Sequence, residues 1–459
     1  MKPTDFKGKR ITIMGLGTLG GGAGVVKYLL KTGAKLTVTD LRTKKELFLV
    51  IKKLGSKNIN YVLGKHREQD FKNVDLVIKN PAVPSGSKYL KIARKNKIPV
   101  ESDASLFFQL CRVPIIGVTG TKGKTTTVSI VESVLKKSGR HFVIVGHNQT
   151  SVLDRLSLIK KDSIVIFELS SWRLEILKDH RISPHVAVVT NVKQDHLNTY
   201  HGMKEYAEAK SNIFKYQKNN DFVILNKENS YTRKFGESVV SKRYWFSKKY
   251  FTEENGIFVK NGKIVFRNMG TERAIMPLDL LRVKGDHNLE NILAAVATLK
   301  IIGIPDKFIK LGAENFKGVQ DRLEFLRKLK GKEFCNDSAA TIPDATVAAI
   351  KSFNGNLILI AGGVDKQLNY NQMAIEIKKR VTFLSLLPGS ATEKLKPLLI
   401  KKKVKFIESE SLKRAVDIAY KYDLNDATIL FSPGAASFNM FKNEFDRGEK
   451  FRIIVKGLK

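Results

Sequence analysis

The chain has 459 residues, room for about three domains of ordinary size. A composition of 42% hydrophobic and 27% charged residues excludes a disordered chain, and no apolar run reaches the ~18 residues of a membrane helix. Two cysteines, Cys111 and Cys335, exclude a disulfide framework, while 81 Lys and Arg against 44 Asp and Glu give a net charge of +37 without any aromatic-interleaved basic stripe.

In chain order, the polar stretch Met1 to Arg10 reads as leading directly into a strand, with no signal peptide expected. Ile11 to Met14 reads as a buried strand and Gly22 to Leu30 as the helix packed on it. Further strands are predicted at Lys35 to Thr39, Asn58 to Leu63 and Val74 to Ile78, alternating with helices as parallel βαβ units require. A second unit starts with the strand at Val113 to Val118, a glycine-rich turn and a helix from Lys124, and continues through strands at Ser163 to Phe167, His185 to Thr190 and Phe222 to Leu225. Residues 242–275 read as a β-rich excursion, with Asn261-Gly262 turning a hairpin between Ile257 to Val259 and Ile264 to Phe266. A third βα region runs from Phe334 to the end, with strands at Leu357 to Ile360, Thr382 to Leu387, Val404 to Ile407 and Thr428 to Phe431. The predicted fold class is α/β with three domains: a Rossmann-like domain over 1–111, a central P-loop ATPase-type domain with a small β-rich excursion over 112–318, and a Rossmann-like C-terminal domain over 319–459.

Two glycine-rich turns carry chemistry. Gly15-Leu-Gly17-Thr-Leu-Gly20 follows the first strand, and Asp40 ends the next. Glycines there let a pyrophosphate approach a helix N-terminus while the acid accepts from a sugar or base. NAD and a UDP-sugar suit it equally. Thr119-Gly-Thr-Lys-Gly-Lys-Thr125 is sharper: backbone amides would cradle phosphates, Lys124 would reach the β- and γ-phosphates, and the Thr125 hydroxyl would meet Mg²⁺. The usual spacing fails by one residue, since Val118 stands five before Gly123 and Gly117 comes too early. Glu168 ends an apolar strand, where a carboxylate beside a phosphate loop suits a hard cation.

The loop, together with Glu168-Leu-Ser-Ser-Trp-Arg-Leu-Glu175, Asn191-Val-Lys-Gln-Asp-His-Leu197, Tyr206-Ala-Glu-Ala-Lys210, Gly285-Asp-His-Asn-Leu-Glu-Asn291, Asn336-Asp-Ser338 and Ser432-Pro-Gly-Ala-Ala-Ser-Phe438, resembles the Mur ligases over nearly the whole chain. That family consists of cytoplasmic enzymes that build the peptide stem of the bacterial cell-wall precursor. The first domain and the C-terminal motif most resemble the branch that adds glutamate to UDP-N-acetylmuramoyl-L-alanine, consuming ATP through an acyl phosphate.

The resemblance implies ATP and Mg²⁺ as cofactors, and catalytic roles for Lys124, Glu168, His196, Lys210 and Lys366. ATP is expected at Gly120, Thr121, Lys122, Gly123, Lys124, Thr125, Thr126, Asn288, Asn291, Arg322 and Asp337. Thr18, Leu19 and Asp40 match positions for the UDP moiety, and Asn148 and Ser170 positions for the muramoyl part. Asp195, Thr341, Lys366, Ser437 and Phe438 match positions around the incoming glutamate. Mg²⁺ would be held by Thr125, Glu168, His196 and a carbamylated Lys210. The implied partners are the muramoyl substrate and glutamate, for a cytoplasmic monomer without membrane insertion or nucleic-acid binding.

Four positions depart from the pattern: Arg173 where many relatives have glutamine, Asp321 where a histidine usually precedes the ATP arginine, Ala339 where a lysine is common, and Glu444 where an aromatic is common. Losing a cation and gaining an acid near a dianionic amino acid leaves L-glutamate open beside the expected D-glutamate. Two other classes explain less. A nicotinamide-dependent dehydrogenase leaves the Lys124 loop idle, and a basic NTP-driven nucleic-acid protein leaves Glu168, His196, Lys210 and Ser437 without a role.

Overall fold

The computed structural model describes all residues except 18–20, 56–57, 148–150, 195–199, 253, 283–284, 317, 366–367 and 439. The chain divides into two compact units, residues 1–281 with 287–315, and residues 282–286 with 316–459. The fold is α/β, with three sheets among the described residues.

The first unit holds two sheets. Strands β1 (Arg10–Met14), β2 (Lys35–Asp40), β3 (Ile59–Leu63), β4 (Leu76–Lys79) and β5 (Val100–Ser102) form an all-parallel sheet in the order β3-β2-β1-β4-β5. Strand order reverses beside β1, so the glycine turn that follows β1 opens at the switch point where such sheets bind ligands. The short β5, which the sequence reading omits, ends in a helix capped by Ser102, whose hydroxyl accepts from Ser105 N at 3.1 Å.

The second sheet contains β6 (Ile115–Thr119), β7 (Phe142–Val145), β8 (Ile164–Glu168), β9 (Val186–Val189), β10 (Phe222–Asn226), β11 (Lys242–Ser247), β12 (Gly256–Lys260), β13 (Lys263–Asn268) and β14 (Thr271–Pro277). Its order is β14-β13-β12-β11-β10-β9-β6-β8-β7. Every residue of β6 is buried, as a central parallel strand covered by helices on both faces demands. The β-rich excursion is a continuation of this sheet: β11 pairs in parallel with β10 and β12, and the antiparallel pairs are β12–β13 and β13–β14. Its hairpin turns at Asn261 and Gly262, with φ of 49° and 68°, the positive pair a tight two-residue turn needs.

In the second unit, β15 (Glu324–Leu329), β16 (Lys332–Asn336), β17 (Asn356–Gly362), β18 (Phe383–Leu387), β19 (Ile407–Glu408) and β20 (Ala427–Phe431) lie in the order β15-β16-β20-β17-β18-β19. The region begins one strand earlier than the sequence suggests, because no residue of β15 is buried and the strand pairs antiparallel at the sheet edge. The strand expected at Val404 to Ile407 shrinks to Ile407–Glu408.

Candidate active site

The central strand β6 delivers the phosphate loop, and helix Lys124–Ser138 starts directly after it. Gly120 and Gly123 hold φ of 151° and 90°. A Cβ on Gly120 would lie 1.9 Å from Thr190 Oγ1, and one on Gly123 would lie 2.1 Å from Asn291 Oδ1, so close approach as well as backbone conformation requires glycine at both. Gly117 belongs to the strand, where a Cβ would press on Pro184 at 2.7 Å; the loop itself begins at Gly120, which accounts for the odd spacing.

The end of β9 braces this loop. Thr121 N donates to Asn191 O at 2.9 Å, Lys122 N donates to Asn191 Oδ1 at 3.0 Å, and Thr190 Oγ1 donates to Lys122 O at 2.6 Å. Lys124 Nζ folds back on the carbonyls of Gly120 at 2.8 Å and Thr121 at 3.2 Å. Lys210, on helix Met203–Ser211, is buried and donates to the same Gly120 carbonyl at 3.0 Å, with its ammonium 4.6 Å from the Tyr206 ring centre. Two ammonium groups therefore meet on one carbonyl at the loop, an arrangement suited to a polyanion.

Beside them the Thr125 hydroxyl donates to Glu168 Oε1 at 2.9 Å, and His147 Nδ1 lies 3.0 Å from Glu168 Oε2. Burial pushes the Glu168 carboxyl up, but the His147 hydrogen bond, the Lys124 charge and the Thr125 hydrogen bond outweigh it and hold the group below the usual carboxylate range. An ionised carboxylate and a hydroxyl thus converge next to the loop, the oxygen donors a hard divalent cation takes. Asn291 faces the loop from helix Asp286–Ile301 through Gly123. Asn288 lies one turn earlier on that helix. Thr126 sits in the first turn of the loop helix.

The glycine turn after β1 lines a cleft of about 650 Å³, together with Asp40, Asn80, Gly146, Ser170 and Arg173. Asp40 is buried; it accepts from Gly17 N at 3.0 Å and from Arg42 N at 2.9 Å, so its carboxylate holds the turn in shape. Ser170 caps helix Ser171–His180 and faces the same cleft. Arg173, the departure from glutamine, pairs with the buried Asp103 at 2.7 Å and lies over the Phe167 ring.

In the second unit, β16, β20 and β17 are parallel neighbours, so their C-terminal ends form one rim. Asp337 leaves β16 there, accepting from Ser432 Oγ at 2.7 Å and Leu323 N at 3.2 Å, and burial pushes its carboxyl up to about 7. An antiparallel bridge between Val364 and Ala436 sets the segment after β17 beside buried Ser437 and exposed Phe438. Arg447, fully buried, donates to Ser338 O at 2.7 Å and Ala435 O at 3.0 Å, tying the segment before Thr341 to the one before Ser437. Asp321 accepts from Asn336 Nδ2, Ser338 Oγ and Arg452 Nη1, which explains an acid where a histidine is usual: it pins the Arg322 turn to the C-terminal helix. Thr18, Leu19, Asn148, Asp195, His196 and Lys366 lie outside the described residues.

Residues 118–299 match the Mur ligase middle domain, and residues 9–102 match the Mur ligase MurD-like N-terminal domain. The chain is 39% identical to a protein of Roseiflexus sp. (strain RS-1) named UDP-N-acetylmuramoylalanine--D-glutamate ligase, over 98% of this chain and 99% of that one. Proteins of the same name from Borreliella afzelii (strain PKo) and Koribacter versatilis (strain Ellin345) are 37% and 34% identical, over 99% and 98% of this chain and the same shares of their own lengths. This chain belongs to the Mur ligase family. Among solved structures, the MurC ligase of Thermotoga maritima shares the fold with a TM-score of 0.60 at 19% identity, covering 98% of this chain and 100% of that one.

Two residues that the sequence did not single out also stand at this loop and beside Glu168. His147 reaches Glu168 because β7 and β8 are parallel neighbours and both residues lie at their C-terminal ends. With β7 unrecognised, that proximity could not be read. Tyr206, which opens the Tyr206 to Lys210 motif, contacts Thr121 Oγ1 through its hydroxyl at 3.3 Å.

Proposed function

We infer that the chain is an ATP-dependent ligase that joins D-glutamate to UDP-N-acetylmuramoyl-L-alanine in peptidoglycan precursor synthesis. The observation that carries this reading is the pair of ammonium groups, Lys124 and Lys210, on the Gly120 carbonyl beside the Thr125–Glu168 pair. The whole-length relatives supply the substrates, and they favour D-glutamate over the L-enantiomer that Ala339 and Glu444 left open.

In the reaction, an oxygen of the alanyl carboxylate attacks the γ-phosphorus of ATP and the bond to ADP breaks. The amine of glutamate then attacks the acyl carbon, phosphate departs with the C–O bond, and the amine loses a proton. Several anionic oxygens meet at each step, so the protein's task is alignment and charge neutralisation. In our proposal Lys124 and the amides of Gly120 to Thr126 cradle the phosphates, with Asn288, Asn291, Arg322 and Asp337 on the remainder of ATP. Thr18, Leu19, Asp40, Asn148 and Ser170 hold the UDP-muramoyl substrate, and Asp195, Thr341, Lys366, Ser437 and Phe438 hold glutamate. Mg²⁺ would be held by Thr125, Glu168, His196 and a carbamylated Lys210, and when bound it neutralises phosphate charge. Domains at 1–111, 112–318 and 319–459 carry the UDP-substrate, ATP, and glutamate with ATP, respectively. The enzyme acts as a cytoplasmic monomer; among the described residues no helix is long and apolar enough to cross a membrane.

The test is phosphate release from ATP with each substrate omitted in turn. Sustained release requiring both UDP-N-acetylmuramoyl-L-alanine and glutamate supports the assignment. Equal release without the muramoyl substrate overturns it.

A further inference from the structure

One chain of contacts joins the wall of the first-domain cleft to the phosphate loop. Ser85 lies just past Pro81, Ala82 and Val83, which line the cleft, and its hydroxyl donates to Glu175 Oε2 at 3.0 Å. The other oxygen of Glu175 accepts from Tyr200 OH at 2.5 Å. Burial, followed by this hydrogen bond, pushes the Tyr200 phenol up, so it stays protonated and serves as the donor. The Tyr200 ring lies 5.2 Å from that of Tyr206 at an interplanar angle of 49°. Tyr206 in turn touches Thr121 of the phosphate loop at 3.3 Å and lies under the Lys210 ammonium.

The cleft end of this chain is firmly held. Lys79 is buried at the end of β4 and donates to Val83 O at 2.9 Å; burial pulls its ammonium below the usual lysine range, and the Glu175 charge opposes that shift. Glu175 itself stands on helix Ser171–His180, whose cap, Ser170, faces the cleft. The Pro81–Ser85 segment is thus linked through a two-armed carboxylate to two packed rings and on to the loop. Tyr200 and Tyr206 are both buried, so little solvent can absorb a movement along this link.

We propose that Glu175 and Tyr200 are positioning residues that couple occupation of the cleft by the nucleotide-sugar substrate to the phosphate-loop arrangement that binds ATP, so that each ligand raises the affinity for the other. This rests on the function proposed above, and linkage makes the effect reciprocal. A mere packing strut would change stability and leave the coupling between ligands intact.

The experiment is calorimetric titration of the full chain with the β,γ-imido analogue of ATP plus Mg²⁺, with and without saturating UDP-N-acetylmuramoyl-L-alanine. In the native chain the analogue should bind at least about fivefold more tightly when the muramoyl substrate is present. In Tyr200→Phe, which keeps the ring, and in Ser85→Ala, which removes only the cleft-side arm, the gain should fall below about twofold, with the affinity for each ligand alone within about twofold of the native value. Ser85→Ala decides the matter if Tyr200→Phe fails to fold, because it leaves the buried phenol in place. An unchanged gain in the variants, or no gain in the native chain, overturns the coupling while leaving the ligase assignment standing. A native chain that binds the analogue but not the muramoyl substrate overturns both.

Discussion

Replacing Gly123 by alanine tests the phosphate loop at its tightest point. Gly123 holds φ of 90°, and its Cβ would stand 2.1 Å from Asn291 Oδ1. Gly139, at the other end of the same helix, holds φ of 67° with nothing within 4 Å of its Cβ. Both alanines incur the left-handed backbone cost, about 1–2 kcal/mol. Only at Gly123 must a buried amide also move, which adds about 1–3 kcal/mol for disturbed polar contacts. Gly123→Ala should therefore cost about 3 kcal/mol against about 1 kcal/mol for Gly139→Ala. Both tryptophans, Trp172 and Trp245, lie in the first unit, so urea unfolding followed by fluorescence reports on that unit. In the Gly123→Ala, Asn291→Ala double variant the clash disappears, and about 1–2 kcal/mol of the combined cost should be recovered as coupling. Because the Gly123 clash lies in the loop itself and Gly139 stands at the far end of the helix, the affinity for the imido analogue of ATP should fall at least about tenfold (about 1.4 kcal/mol) in Gly123→Ala and stay within about twofold in Gly139→Ala. Equal costs at the two glycines, or no relief in the double variant, would refute the close approach of Asn291 to the loop.

Three further outcomes follow from the same geometry. His147→Ala removes the group that orients Glu168, and a Mg²⁺ titration of activity should show a loss of about 10–100-fold in apparent metal affinity or rate; an unchanged titration contradicts the role given to His147. Arg173→Gln strands the buried Asp103 carboxylate and should cost the first unit about 3 kcal/mol in the fluorescence assay, and adding Asp103→Asn should restore most of it. Asp337 keeps a proton in the folded protein up to about pH 7 that the unfolded chain loses near 3.8, so the unfolded state binds fewer protons between these values and stability falls as pH rises through the window, by about 4 kcal/mol at most. Hydrogen exchange of β16 and β20 should show this decline, and Asp337→Asn should flatten it.

Much of the fold is legible because parallel strands buried on both faces are near-continuous apolar runs, as in Ile115–Thr119 and Val186–Val189. The strands that escape reading are short or lie at edges. β5 has three residues, β7 alternates buried with half-buried positions at a sheet edge, and β15 exposes Phe325. For the site, Lys124, Thr125, Glu168 and Asn291 could be found from motif and strand context. The path of Lys210 to the Gly120 carbonyl could not, because a lysine on a helix is usually solvated and only the packing of helix Met203–Ser211 buries it. Asp321 and Arg447 were illegible for a similar reason: Arg452 for one and Ser338 for the other lie more than a hundred residues away in the chain and meet them only once the third sheet has formed.

The central claim is that this active site makes one amide bond with one enantiomer. Mass spectrometry of the product from ATP, Mg²⁺ and UDP-N-acetylmuramoyl-L-alanine, with D-glutamate and L-glutamate supplied in separate reactions, tests it most directly. The account predicts the glutamyl adduct with D-glutamate and loss of that adduct in Lys124→Ala. Comparable adduct from both enantiomers, an adduct formed from L-glutamate alone, or none from either by a folded, ATP-binding protein, would contradict it.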